Sequence, residues 1–287
     1  MNTSYALTDY VLGSNDGEHE RLTRQADTLA PYTARLFRDA GVTIGQRVLD
    51  VGCGVGDVTL LVAALVGTSG SVLGIDRDSM ALTKARSRAT VAGAKNVEFI
   101  DTDLTDLRIN GNFDAIVGRF ILMFLPDPVA TLRSLSKHLR PGGVIVFQEP
   151  SWASFFAHAE HLPLRTACGE LICSTFRRAG ARPDMPLALF QGLLDSGFPT
   201  PSLHVEVPIA NDAGGQRWLP ELIATLRARF RDLDLDTSPV GDFDTLYERL
   251  EMELDHARSY APLAGLVGAW ARKPSSHAQD STPKLGN

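Results

Sequence analysis

From residue 47 to residue 149, short apolar runs rich in β-branched side chains alternate with longer stretches whose apolar positions recur at helical spacing. The short runs are RVLDV, SVLGI, VEFI, FDAIVG and VIVFQE; between them lie DVTLLVAALVG, SMALTKARSRATVAG and a helical segment over roughly 127 to 140. Strand-helix alternation of this kind predicts a parallel sheet with helices on both faces. In such sheets ligands bind beyond the carboxyl ends of the strands, where the strand order reverses. Upstream, residues 16 to 40 read as two short helices broken at Pro31, a good first helical residue, and closed by Gly41. The rhythm changes after Pro150. Residues 155 to 198 are helical in pattern, LHVEVP is a strand candidate, about fifty mostly helical residues follow, and GLVGAWARK reads as a last strand. Four parts are expected: a helical segment over 1–40, a core over 41–150, a helical lid and substrate pocket with the last two strands over 151–272, and a disordered tail over 273–287.

Composition narrows the partners. A formal net charge of −6 across 287 residues offers no electrostatic grip on nucleic-acid phosphates or an anionic membrane. The most apolar window, TLLVAALVGTSGSVLGI, is interrupted by GTSGS and is too short to span a bilayer. MNTSYALTDY lacks the charged leader and apolar core of a secretory signal. Cys53, Cys168 and Cys173 make an odd number without metal-ligand pairing, which suits a reducing cytoplasm.

The stretch VLDVGCGVGDVT places Gly52, Gly54 and Gly56 where the first strand hands over to a helix. A glycine turn before a helix amino terminus usually receives phosphate. Here the spacing is G-x-G-x-G rather than the dinucleotide G-x-G-x-x-G, and Asp50 and Asp57 flank it. Negative charge around the loop favours a ligand that is cationic at that end, such as an amine or a sulfonium. The next strand, SVLGID, ends at Asp76, about where a nucleotide-binding sheet places a carboxylate on ribose hydroxyls. Asp78, just before SMALTKAR, is read as a helix cap. DTDLTD and RDLDLD lack the glycine and glutamate of a calcium loop.

VLDVGCGVGDVT, VLGID, EFIDTDLTDL, FDAIVGRFILMFLPDP and LRPGGVIVFQEP stand in the order and spacing of the class I S-adenosylmethionine-dependent methyltransferases. The chain resembles that family over roughly residues 35 to 150, and GLVGAWARK fits its terminal strand. The resemblance implies an α/β, Rossmann-like, doubly wound fold: a mostly parallel seven-stranded sheet with an antiparallel last strand and a helical lid inserted in the C-terminal part. It implies S-adenosyl-L-methionine as cofactor, S-adenosyl-L-homocysteine as product, and cofactor contacts at Asp50, Gly52, Cys53, Gly54 and Gly56. Asp76 would hold the ribose with Arg77 beside the adenine, and Asp103 and Leu104 would meet the adenine. Gly118 and Arg119 would border the methionine end and the substrate; other members vary at the arginine's position. Tyr10 lies in a segment that folds over the cofactor in related enzymes. LRPGG is the family's turn into the fifth strand.

The layout is similar to the small-molecule branch, that of ubiquinone- and menaquinone-pathway and natural-product methyltransferases. No Asn/Asp-Pro-Pro-Tyr/Phe run, the base-holding motif of nucleic-acid enzymes, is present. The expected partner is therefore a small, partly apolar acceptor, with neither nucleic acid nor membrane, and a homodimer stays open. Methyl transfer from a sulfonium needs alignment, desolvation and, for a weak nucleophile, a base. Glu149, His158 and His161 are the candidate bases. The histidines share one helical face, but no third metal ligand accompanies them, and no metal is expected. Phe120, Phe124, Phe147, Trp152, Phe155 and Phe156 either face the sulfonium or pack the core and lid. Three other readings remain: cyclisation or rearrangement with the same cofactor, a nicotinamide oxidoreductase, and a non-catalytic small-molecule-binding protein. Asp50 and the glycine spacing speak against the second, and the completeness of the motifs against the third.

Overall fold

Five of the apolar runs pair side by side in the computed structural model, which describes residues 12, 16–104, 107, 109, 111–210 and 213–275. They are β1 (Arg47–Val51), β2 (Ser71–Asp76), β3 (Val97–Asp101), β4 (Phe113–Arg119) and β5 (Leu139–Ser151), all parallel. β6 (Ser202–Glu206) and the last strand, β9 (Gly265–Arg272), complete a seven-stranded sheet of order β3-β2-β1-β4-β5-β9-β6, in which β9 is antiparallel to both neighbours. β7 (Ile209–Ala210) and β8 (Ala261–Pro262) form a separate two-residue pairing, too short to leave a periodic pattern. The order reverses between β1 and β4, which puts the crevice beyond these two strands.

Both faces are covered because successive strand residues point to opposite sides. Val48, Val117 and Val146 join one core with Val58 and Val62 of α2 (Asp57–Val66) and Phe37 of α1 (Asp16–Asp39). Leu49, Ile116, Ile145 and Phe147 join the other, larger core. That core also takes residues from α4 (Pro128–Ser136), α5 (Trp152–Ala159), α6 (Pro163–Arg178), α7 (Pro186–Asp195), α9 (Trp218–Asp232) and α10 (Leu246–Ala257). α3 (Ser79–Val91) lies against β2 and β3, and the four-residue α8 (Ala213–Gln216) precedes α9.

Residues 16 to 40 form one helix, not two. Pro31 sits inside α1 and removes one donor, which costs about 3 kcal/mol in a helix interior. The carbonyl left without that donor belongs to the exposed Asp27, whereas Leu29, Thr33, Leu36 and Phe37 on the opposite side are buried and hold both halves in line. α4 stops at Ser136, shorter than the pattern indicates, because β5 already begins at Leu139. Asp127 starts α4 by accepting from the Ala130 amide at 2.9 Å, followed by Pro128 at the first helical position.

Gly118 of β4 stands level with Phe147 of β5, and a Cβ there would lie 2.4 Å from the Phe147 ring. Gly118→Ala is therefore expected to cost about 1–3 kcal/mol by overpacking, read by denaturant unfolding. Most of that loss should return in the double variant with Phe147→Leu; a loss unchanged by the second substitution would contradict the steric cause.

Candidate functional site

Between β1 and α2 the three glycines are small for different reasons. A Cβ on Gly52 would lie 2.6 Å from Ile121, and one on Gly56 would press on Ala85 at 3.1 Å and Phe99 at 3.3 Å, so the protein's own side chains claim both positions. Gly54, at φ +51°, has nothing within 4 Å of its missing Cβ. Its amide donates to Asp76 Oδ2 at 2.8 Å, and the Asp78 amide donates to Asp76 Oδ1 at 2.9 Å. The Cys53 amide donates to the Ile75 carbonyl at 3.0 Å, so the loop is tied to β2 at two successive residues. Burial pushes the Asp76 pKa up, against the pull of the amides. Asp78 caps α3 as read from sequence, accepting from Met80 at 2.9 Å and Ala81 at 3.1 Å.

A cavity of about 630 Å³ opens over the loop. Of the residues for which the resemblance implies cofactor contacts, Gly52, Cys53, Gly54, Asp76, Arg77, Asp103, Leu104 and Arg119 lie on its wall. Asp50 does not. It points towards α2, accepts from the Thr59 hydroxyl at 2.6 Å and is buried. Burial raises its pKa to about 7, opposed by that hydrogen bond and by Arg119. Gly56 and Gly118 are also off the wall, emptied by Phe99 and Phe147 rather than by a ligand. Tyr10 lies outside the described residues. Asp57, the first residue of α2, lines the cavity with Arg88 at 2.6 Å.

None of the three candidate bases reaches the cavity wall. Glu149 is fully buried and accepts backbone N–H groups from Ile121 (3.1 Å), Leu122 (2.9 Å) and Met123 (3.2 Å), fixing the 3-10 turn Leu122–Phe124 after β4. Burial raises its pKa to about 7 against these three donors. His158 pairs with Tyr260 (2.8 Å) and His161 with Ser259 (2.7 Å), clamping the end of α5 to the loop after α10. Of the six aromatic candidates, Phe120, Phe124 and Trp152 face the cavity; Phe147, Phe155 and Phe156 pack elsewhere.

Arg119 is one of two described guanidinium groups at the loop end, the other being Arg77. Arg119 donates to the Thr33 hydroxyl at 3.1 Å and makes no ion pair among the described residues. Thr33 also bonds Gln148 at 2.7 Å, so α1 and β5 together aim the guanidinium. Burial lowers the Arg119 pKa, with Asp57 and Asp50 opposing.

The roof of the cavity comes from residues not singled out in the sequence. His19, Arg21, Leu22 and Gln25 of α1 and Trp218 and Leu222 of α9 line it. Glu18 holds Arg21 through two bonds of 2.7 and 2.6 Å, both side chains being buried. A signal existed: in GEHERLTRQ, polar residues recur at helical spacing on the face that also carries Leu22 and Leu29, where a surface helix would be apolar throughout.

A doubly wound sheet with a glycine loop after its first strand, an acid closing the second and a cavity at the switch point is the class I methyltransferase architecture. A family model described as a methyltransferase domain matches residues 43–196, and the chain belongs to that family. Demethylmenaquinone methyltransferase of Staphylococcus aureus strain MRSA252 is 35% identical over 121 residues, 42% of this chain and 49% of that protein. The chain thus spans about half the length of the curated relatives it matches. A putative methyltransferase from Bacillus halodurans shares the fold at a TM-score of 0.55 and 16% identity, covering 85% of this chain and 99% of that one. The cyclase SpnF does so at 0.54 and 21%, covering 86% and 81%.

Asp50 and Glu149 keep their protons in the folded protein up to about pH 7, well above the ordinary values of 3.8 and 4.5. The folded state therefore binds more protons than the unfolded one in that window, and these groups' contribution to stability falls as pH rises through it. Glu149→Gln does not titrate. Its penalty in denaturant unfolding is expected to be larger at about pH 5 than at about pH 8, and a penalty independent of pH would refute the raised pKa.

Proposed function

We propose that the protein transfers the methyl group of S-adenosyl-L-methionine to a small-molecule acceptor and releases S-adenosyl-L-homocysteine. The observation that carries this is one continuous cavity that runs from the glycine loop, with Asp76, Asp103 and Arg119, to an apolar pocket under α1 and α9. The residues present fit such a cofactor. Space stands open beside Gly54, and the Asp76 carboxylate, oriented by two amides, keeps lone pairs for two ribose hydroxyls. Arg119, which makes no ion pair among the described residues, suits the carboxylate of an amino-acid end. Arg77, Asp103 and Leu104 would border the adenine.

When bound, the sulfonium supplies a methyl group already activated for in-line displacement. The chain's part is alignment and exclusion of water: α1 and α9 roof the cavity, and Phe120, Phe124 and Trp152 wall it. Glu149, His158 and His161 lie off the cavity wall in structural roles, and His19 of α1 is buried on that wall. The relative named for demethylmenaquinone supports a small acceptor, from secondary or intermediary metabolism. Three free cysteines fit a cytoplasmic setting, and among the described residues no helix is long and apolar enough to cross a membrane. Cyclisation on the same cofactor draws on the same residues and on no feature of its own.

Calorimetric titration with S-adenosylmethionine, S-adenosylhomocysteine and NADH tests the reading. Micromolar binding of the first two and none of NADH is expected. Asp76→Asn and Arg119→Met should each weaken the affinity about 10- to 100-fold, the range for losing hydrogen bonds to a charged group. NADH binding, or variants that bind S-adenosylhomocysteine as tightly as wild type, would sink the assignment.

A further inference from the structure

The cavity's two ends differ in charge. The loop end carries Asp57, Asp76, Asp103 and Arg119. The far end is walled by Leu22, Trp152, Phe176, Trp218, Leu222 and Leu263, and among the described residues its guanidinium, that of Arg21, is already neutralised by Glu18. Thr225 of α9 bonds the same glutamate at 3.2 Å. Trp152 and Trp218 stack with centroids 5.8 Å apart and planes 29° apart, which builds a flat aromatic wall from α5 and α9. Among the described residues an ionised acceptor would find no unpaired opposite charge at this end, and it would lose its hydration on entering.

One polar group at this end is held in a single orientation. Gln25 Oε1 receives Arg21 Nη1 at 2.6 Å and Trp218 Nε1 at 3.3 Å. Flipping the amide would set its NH₂ against two donors, so the network itself distinguishes oxygen from nitrogen. Gln25 Nε2 is thereby left as the amide's unoccupied donor, making no hydrogen bond among the described residues, on a side chain that lines the cavity. A donor pinned on an apolar wall selects for a hydrogen-bond acceptor on the molecule that fills the pocket.

We propose that Gln25 is the specificity-determining residue of an acceptor subsite, and that the acceptor is an uncharged, ring-bearing molecule. Its ring lies against the Trp152–Trp218 wall, and one of its oxygens, a carbonyl or an equivalent acceptor, takes the Gln25 Nε2 hydrogen bond. The subsite rests on the methyltransferase reading, since it is the far half of the same cavity.

The test uses the full chain saturated with S-adenosylhomocysteine and titrated with three probes: 1-acetonaphthone, 1-ethylnaphthalene and 1-naphthoate. They share the ring system and differ in carrying a carbonyl, no oxygen, or a charge. Wild type is expected to bind the ketone about five- to tenfold more tightly than the hydrocarbon, the value of one hydrogen bond, and to bind the carboxylate most weakly. Gln25→Leu should abolish the difference between ketone and hydrocarbon. Gln25→Glu keeps an oxygen for Arg21 and Trp218 but replaces the donor, and should reverse the preference. Thermal melts and S-adenosylhomocysteine binding report that each variant is folded at its cofactor end. Equal affinities in wild type, a preference that survives both substitutions, tightest binding of the carboxylate, or no binding of any probe would each overturn the subsite. Failure of S-adenosylhomocysteine to bind wild type would instead overturn the methyltransferase reading, and the subsite with it.

Discussion

The Asp76 carboxylate, which receives the Gly54 amide on one oxygen and the Asp78 amide on the other, is the contact on which the site depends. It joins the turn after β1 to the turn after β2, so the two carboxyl ends at the crevice are fixed relative to each other before any ligand arrives. The same contact explains why the loop is not a phosphate cradle: the amide that would meet an anion already serves a carboxylate of the protein. Preorganisation of this kind spares a ligand the cost of ordering the loop.

Buried and half-buried acids recur in this molecule as fasteners for backbone and helix ends. Asp50 holds Thr59 at the start of α2, Glu149 gathers three amides of the turn after β4, and Glu253 accepts the Leu164 and Arg165 amides that open α6. Each satisfies donors that would otherwise be stranded. Asp50 and Glu149 show the electrostatic side of the arrangement, because burial resists their ionisation more strongly than the bonds favour it. A carboxylate that restrains three amides is poorly placed to collect a proton from a substrate, which is why Glu149, attractive by its position at a strand end, holds a turn instead.

The sheet was legible because its central strands are buried on both faces and read as largely apolar runs; β1 to β5 fall where those runs lie, although β3, at the sheet edge, is only half-buried. The loop end of the cavity was legible for the same reason, since Asp76 and Arg119 close β2 and β4, while Gly54 and Asp103 sit three and two residues past β1 and β3. Periodicity does not report three-dimensional neighbours, and there the sequence misled. Nothing in FFAHAEHL shows that Tyr260 and Ser259 take up its two histidines. Gly118 is required by the Phe147 ring, a partner on the adjacent strand that only register reveals. Pro31 looked like a boundary because propensity is local, while the burial that carries α1 through it is tertiary.

β9 is the last strand in the chain and an interior strand of the sheet, with β5 on one side and β6 on the other. The missing side chain of its Gly268 is the space that Leu36 of α1 occupies. The helix that roofs the cavity early in the sequence therefore finds its seat only when the latest strand has inserted. Pairings across so many residues carry a large loop-closure cost and are slow. During synthesis the open edge of β5 would stay uncovered until β9 leaves the ribosome, an interval in which edge-to-edge association competes with folding. A chain folded only as far as β5 would have the glycine loop without the seat that β9 gives α1.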